Sequence, residues 1–182
     1  PNPVVDSNGN VRLPGLDNHS MGLIFEELIR RFNEENNEEA GEHFTPRDVI
    51  KLMARMILVP VKDKIESGTY LLYDGACGTG GMLTVAEQTL LQLAEEQNKE
   101  VAIHLFGQEI NPETYAITKA DLLLKGEGAE ADNMKFGSTL SSDYFPSREF
   151  DFMLSNPPYG KSWKTDQERM GGKEEISDRR FV

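Results

Sequence analysis

Apolar positions recur along this chain with two periods, and the alternation between them sets out an architecture. Within residues 21–33, Met21, Leu23, Ile24, Leu28, Ile29 and Phe32 fall at helical spacing, with Glu26, Glu27, Arg30 and Arg31 between them. That pattern predicts an amphipathic helix whose apolar stripe is ordinary core. A second helix is expected over residues 46–58, with Val49, Ile50, Leu52, Met53, Met56 and Ile57 as its apolar face. Thr45 before Pro46 reads as its start, a hydroxyl N-cap followed by proline at the first helical position. Short apolar and aromatic runs follow at residues 70–73, 101–107, 133–140 and 150–155, each of strand length. Between them, Leu83, Val85, Ala86, Leu90, Leu91 and Leu93 predict one helix, and Tyr115, Ile117, Ala120, Leu123 and Leu124 another. Strands alternating with helices imply an α/β fold with a parallel, doubly wound sheet.

The remaining stretches read as connections. Residues 1–20 form an extended lead-in with little periodicity, 34–42 an acidic link, 60–68 a loop and 125–132 a turn. The domain proper is expected over residues 21–160, and residues 161–182, without clear periodicity, read as a mobile loop.

The junction after the first strand of the sheet concentrates the chemistry. Asp74 leads into Gly75-Ala76-Cys77-Gly78-Thr79-Gly80-Gly81, four glycines in seven positions, and a helix follows directly. Glycine lets backbone approach a ligand closely, and a helix start offers free N–H groups. A phosphate-binding P-loop would need Lys and Ser or Thr after its last glycine, where Gly81 and Met82 stand. The dinucleotide pattern GxGxxG fits Gly78 and Gly80 but then meets Leu83 in place of a small residue. Asp74 repels phosphate and attracts hydroxyls or a cation. A ligand with an adenosine but no phosphate is therefore the better candidate. At the end of the next strand, Glu109 stands where doubly wound folds hold ribose hydroxyls. Phe44, beside the expected helix start, could stack on an adenine or a methionine moiety.

Composition narrows the partners. The formal net charge of −12 works against autonomous, non-specific DNA binding, so a nucleic-acid partner would need a local basic patch or another subunit. No apolar run is long enough to span a membrane, and the single cysteine, Cys77, fits a reducing cytoplasm. In the glycine loop Cys77 reads as a small packed thiol.

The last strand runs straight into Asn156-Pro157-Pro158-Tyr159. Two prolines fix the backbone and present carbonyls without N–H donors. Asn156 adds a side-chain carbonyl and Tyr159 an aromatic face. Such a group suits an exocyclic amino group on a planar ring: carbonyls accept both N–H bonds and the aromatic ring stacks on the base. Acceptors on both hydrogens make a delocalised amino nitrogen more nucleophilic, and no nucleophilic side chain is required.

The motifs EHFTPRDV (residues 42–49), DGACGTGGML (74–83), GQEINPETYAI (107–117) and NPPYG (156–160) occur in this order. In that combination the chain resembles the modification subunits of type I restriction–modification systems, adenine-specific DNA methyltransferases that use S-adenosylmethionine. The resemblance implies a Rossmann-like methyltransferase fold, of which this chain would carry the first four strands of an expected seven-stranded sheet. It implies that Phe44, Thr45 and Pro46, with Glu42, His43 and Arg47, contact the methionine end of the cofactor. Asp74, Ala76, Cys77, Gly78, Thr79, Gly80 and Gly81 would form the cofactor loop, with Asp74 near the methionine amino group. Glu109 would bind the ribose and Ile110 would pack on the adenine ring. Asn156 and Pro157, with Pro158, would accept from the target amino group, and Tyr159 would stack on a target adenine flipped from double-stranded DNA. A specificity subunit and a restriction subunit are the implied partners. Family members usually carry an acidic residue after the glycine of the third strand; here Ser138 follows Gly137 and could accept one hydrogen bond from the cofactor adenine. Members are also much longer, so this chain, which lacks an initiator Met, reads as a piece not expected to methylate DNA by itself. NPPY alone is shared with methyltransferases acting on protein glutamine or RNA, and a non-catalytic cofactor-binding fragment is the remaining alternative.

Overall fold

The computed structural model describes residues 45–173 throughout, together with 4–6, 11–13, 15, 24, 27, 28, 31, 175, 176 and 178. Near the amino terminus, β1 (Val4–Val5) pairs antiparallel with β2 (Val11–Leu13). The described residues of the first expected helix, Ile24, Glu27, Leu28 and Arg31, are helical, and Arg31 Nε bonds Glu27 Oε1 at 2.9 Å. Its stripe is not core where it is described: Ile24 is 46% and Leu28 59% exposed.

Six further elements build the body. They are α1 (Arg47–Leu58), β3 (Gly68–Asp74), α2 (Gly81–Glu96), β4 (Val101–Glu109), α3 (Pro112–Lys125) and α4 (Gly128–Asn133). The short strands β5 (Met134–Phe136) and β6 (Phe152–Met153) and the helix α5 (Lys164–Arg169) complete it. Three connections differ from their sequence reading. Val59–Lys64 is a 3-10 turn, α4 replaces the expected 125–132 turn, and α5 lies where no periodicity was visible.

The four main strands are all parallel, in the order β5-β4-β3-β6. Counted from β3, that is 3-2-1-4, the first half of a doubly wound Rossmann-like sheet. Leu72 and Leu105, in register on β3 and β4, point to one face, and Tyr73 and Phe106, one residue on, point to the other. The first face carries the helices. Ile50, Ala54 and Leu58 of α1, Leu83, Ala86 and Leu90 of α2, Leu122 of α3 and Ala131 of α4 share one buried cluster with Leu72, Leu105 and Met134. The second face is covered by the β5–β6 connection, whose Phe145 and Phe150 rings lie 5.7 and 4.6 Å from the Tyr73 ring and 5.5 and 5.4 Å from Phe106.

The helix faces were only partly readable from periodicity. On α1 the buried residues are Ile50, Ala54 and Leu58, while Val49, Leu52 and Met56 are exposed. On α3 the buried set is Thr114, Thr118, Asp121 and Leu122, and Leu123 and Leu124 face outward. Thr118 and Asp121 are buried with partners. Thr118 Oγ1 donates to the Thr114 backbone carbonyl at 3.0 Å, and Asp121 Oδ2 pairs with Lys125 at 2.5 Å while its Oδ1 is buried without a partner among the described residues. Among the described residues, no helix is long and apolar enough to cross a membrane.

Candidate active site

In a sheet of this order, ligands sit beyond the carboxyl ends of the strands where the winding reverses, here between β3 and β6. The glycine loop leaves β3 and Asn156 follows β6, so topology alone brings the two motifs to one crevice.

The loop is held open from several sides. Asp74 is buried at the end of β3, and its Oδ1 accepts from Ala76 N at 2.9 Å. The Ser155 side chain also bonds this carboxylate, joining the loop to the β6 exit. Gly78 N donates to Glu109 Oε2 at 2.9 Å and Asn111 N to Glu109 Oε1 at 2.7 Å. Each carboxylate oxygen of Glu109 has a second lone pair for a hydroxyl. Gly78 and Gly80 have φ of 54° and 80°, the left-handed region that favours glycine. A Cβ at Gly78 or Gly81 would meet nothing within 4 Å, so the backbone there borders open space; Thr79, between them, is half-buried.

Burial pushes the Asp74 carboxyl up to about 6, and the neighbouring Glu109 carboxylate pushes the same way. Two carboxylates sharing a partly desolvated crevice favour a cationic ligand that also carries hydroxyls. Cys77 packs beneath the loop, with its backbone N donating to Gln108 O at 3.1 Å. Burial and the Asp74 charge push its thiol well above the ordinary range, so it is an inert packing group. A Cβ on Gly107 would come 2.9 Å from Cys77 Sγ and 2.6 Å from Met134 Sδ.

The remaining expected site residues fall as follows. Glu42, His43 and Phe44 lie outside the described residues. Thr45 is not a helix cap, which corrects its sequence reading. The N-cap residue of α1 is Pro46, no side chain caps it, and Arg47 is the first helical residue. Thr45 Oγ1 instead accepts from Asn156 Nδ2 at 3.1 Å. Ile110 is exposed beside the loop, as is Phe136 at the end of β5. Ser138 is buried, and its Oγ accepts from Leu140 N at 3.2 Å, shaping the turn after β5. Pro157 and Pro158 are exposed and Tyr159 is 87% exposed, its ring open to solvent.

Three side chains that the sequence did not single out support this crevice. Thr118 Oγ1 donates to Gly78 O at 2.5 Å, and Thr139 Oγ1 donates to Gly75 O. Gln108, fully buried, donates to Ser142 O at 2.8 Å and accepts from Tyr144 N at 3.3 Å. The one visible signal was a polar pair, Thr114 and Thr118, at i,i+4 on the helix expected around residues 113–124.

Fold and crevice define a doubly wound α/β protein with two buried carboxylates, Asp74 and Glu109, beside its topological switch point. Comparison with known proteins narrows the class. The model of the N-6 DNA Methylase family matches residues 16–181, and the chain belongs to that family. It is 30% identical over 142 residues to the methylase subunit of the type I restriction enzyme MjaIX of Methanocaldococcus jannaschii, covering 78% of this chain. It is 31% identical over 156 residues to the MpnII methylase subunit of Mycoplasma pneumoniae, covering 81%. The chain spans 23% and 27% of those relatives' own length. The crystal structure of a type I restriction–modification methyltransferase subunit from Streptococcus thermophilus superposes with a TM-score of 0.64 at 29% identity, covering 89% of this chain and 31% of that one.

Proposed function

We infer that this chain is the catalytic core of a type I modification subunit, which methylates the exocyclic amino nitrogen of adenine in double-stranded DNA with S-adenosylmethionine. The observation that carries the reading is the placement of Asn156 at the β6 exit, one residue from the Ser155 that bonds Asp74. Donor and acceptor sites are thereby neighbours across the switch point. The residues present fit the cofactor. Asp74 suits an ammonium, Glu109 has lone pairs for a ribose diol, and Gly78 and Gly81 border open space where backbone can approach. Ile110 and Phe136 are exposed and offer apolar surface for an adenine ring, and Ser138 follows the carboxyl end of β5.

When bound, S-adenosylmethionine supplies an electrophilic methyl group. The chain's own residues prepare the acceptor. Asn156 Oδ1 and the Pro157 carbonyl accept the two amino hydrogens, which draws the nitrogen lone pair out of ring conjugation. The open Tyr159 ring stacks on an adenine turned out of the duplex. Neither acceptor takes a proton permanently; the displaced proton passes to water. Sequence choice falls to a specificity subunit, a restriction subunit completes the cytoplasmic complex, and the acidic charge of −12 fits that division of labour.

The test is Asn156→Ala in the complete methyltransferase. Methyl transfer to adenine-containing duplex should fall by about a hundredfold or more, with cofactor affinity unchanged within about twofold. Methyl transfer that persists, or label that appears on RNA or protein glutamine in place of DNA, would overturn the assignment.

A further inference from the structure

The geometry points to Thr45 as a positioning residue for Asn156, an inference that rests on the proposed methyl transfer. The two residues are 111 positions apart, one just before α1 and the other just after β6, and their side chains meet at 3.1 Å. The direction of this bond matters. A carboxamide presents an acceptor and a donor of nearly the same shape, and only the oxygen can receive an amino hydrogen from the target. With Nδ2 engaged by Thr45 Oγ1, the oxygen is the group left facing away. Rotated by half a turn, the side chain would offer N–H groups to an amino group that also donates. Donor would then face donor and the nitrogen lone pair would stay in conjugation.

Thr45 is well placed for this role because its hydroxyl is released from helix duty. Pro46 is the N-cap residue of α1 and no side chain caps the helix. Removing the hydroxyl therefore leaves the helix intact, and Thr45→Val keeps the branched shape while deleting the acceptor. Asn156 itself is exposed, and among the described residues the hydrogen bond to Thr45 Oγ1 is the side-chain contact that holds its amide in place. A neutral hydrogen bond of ordinary strength corresponds to about a five- to tenfold rate effect.

The experiment uses the complete methyltransferase carrying Thr45→Val, Thr45→Ser or Asn156→Ala. Thr45→Val should lower kcat about five- to tenfold, leave cofactor Kd within about twofold, and be restored by Thr45→Ser. Selective labelling of asparagine with nitrogen-15 gives a readout independent of turnover. The Asn156 side-chain amide signal, identified by its loss in Asn156→Ala, should shift in Thr45→Val and return in Thr45→Ser. An unchanged kcat with an unshifted amide signal would overturn the positioning role. So would a Thr45→Val enzyme whose defect lies wholly in cofactor binding. Absence of methyl transfer by the unmodified enzyme would instead sink the proposed function, while the amide signal still decides the Thr45 contact.

Discussion

At the residue scale, Asp74 carries the most consequence. Its carboxyl is raised from 3.8 to about 6, chiefly by burial, so the folded chain holds a proton there that the unfolded chain has already released. The stabilisation is fully present below pH 3.8 and is lost as pH rises through about 6. Glu87, raised from 4.5 to about 7 by burial and by Glu127 and Glu130, extends the decline upward. Asp74→Asn should therefore gain stability over the parent as pH rises from 4 to 7, by on the order of 2 kcal/mol, in denaturant titrations followed by circular dichroism. A difference independent of pH would show that Asp74 is ionised throughout. Gly107 is the second such residue. A methyl group there would collide with Met134 Sδ and Cys77 Sγ, and Gly107→Ala should cost about 1–3 kcal/mol in the same assay. Asp74, Glu109 and Asn156 were legible because each stands at the end of an apolar run. Gly107 and Gln108 were not, since their roles depend on what the neighbouring strand and the next connection bring beside them.

Elements show where periodicity succeeds and where packing overrides it. The helix α2 was read nearly to its ends because Leu83, Ala86, Leu90 and Leu93 all meet the sheet. Its neighbour α3 was found but turned the wrong way. Leucines at 123 and 124 drew the apolar face toward themselves, whereas the fold buries Thr114 and Thr118 and sets Thr118 against the glycine loop. The short α4 escaped notice since Gly, Asp and Asn discourage a helix. It exists through Glu130, whose carboxylate takes the His104 ring at 2.9 Å and Leu105 N at 2.6 Å. Helix starts also traded places: the hydroxyl read as a cap for α1 serves Asn156, while Asn111 caps α3, its Oδ1 accepting from Glu113 N and Thr114 N. Asn111→Ala should destabilise the protein by about 1 kcal/mol, measured by urea unfolding, and Asn111→Gly by only a few tenths. Equal losses would mean that the cap contributes little beyond backbone freedom.

At the scale of the molecule, strand order did what no single motif could. The 3-2-1-4 arrangement places residues 74–81 and 156–159 at one crevice although some 75 positions separate them. Charge acts at the same scale. With a net −12, the chain alone should show no measurable affinity for duplex DNA at physiological ionic strength by fluorescence anisotropy, and association should appear on adding the specificity subunit. Tight binding by the chain alone would contradict that division. The connection between β5 and β6 has a consequence for how such proteins can change over time. Residues 137–151 carry Thr139, whose hydroxyl donates to Gly75 O of the glycine loop, and they also carry the two phenylalanine rings that close the second sheet face. A swap of this segment between relatives that omits either ring would leave Tyr73 and Phe106 bare and the chimaera insoluble. Support of the glycine loop and solubility are inherited together here, so this connection can diversify only as a block.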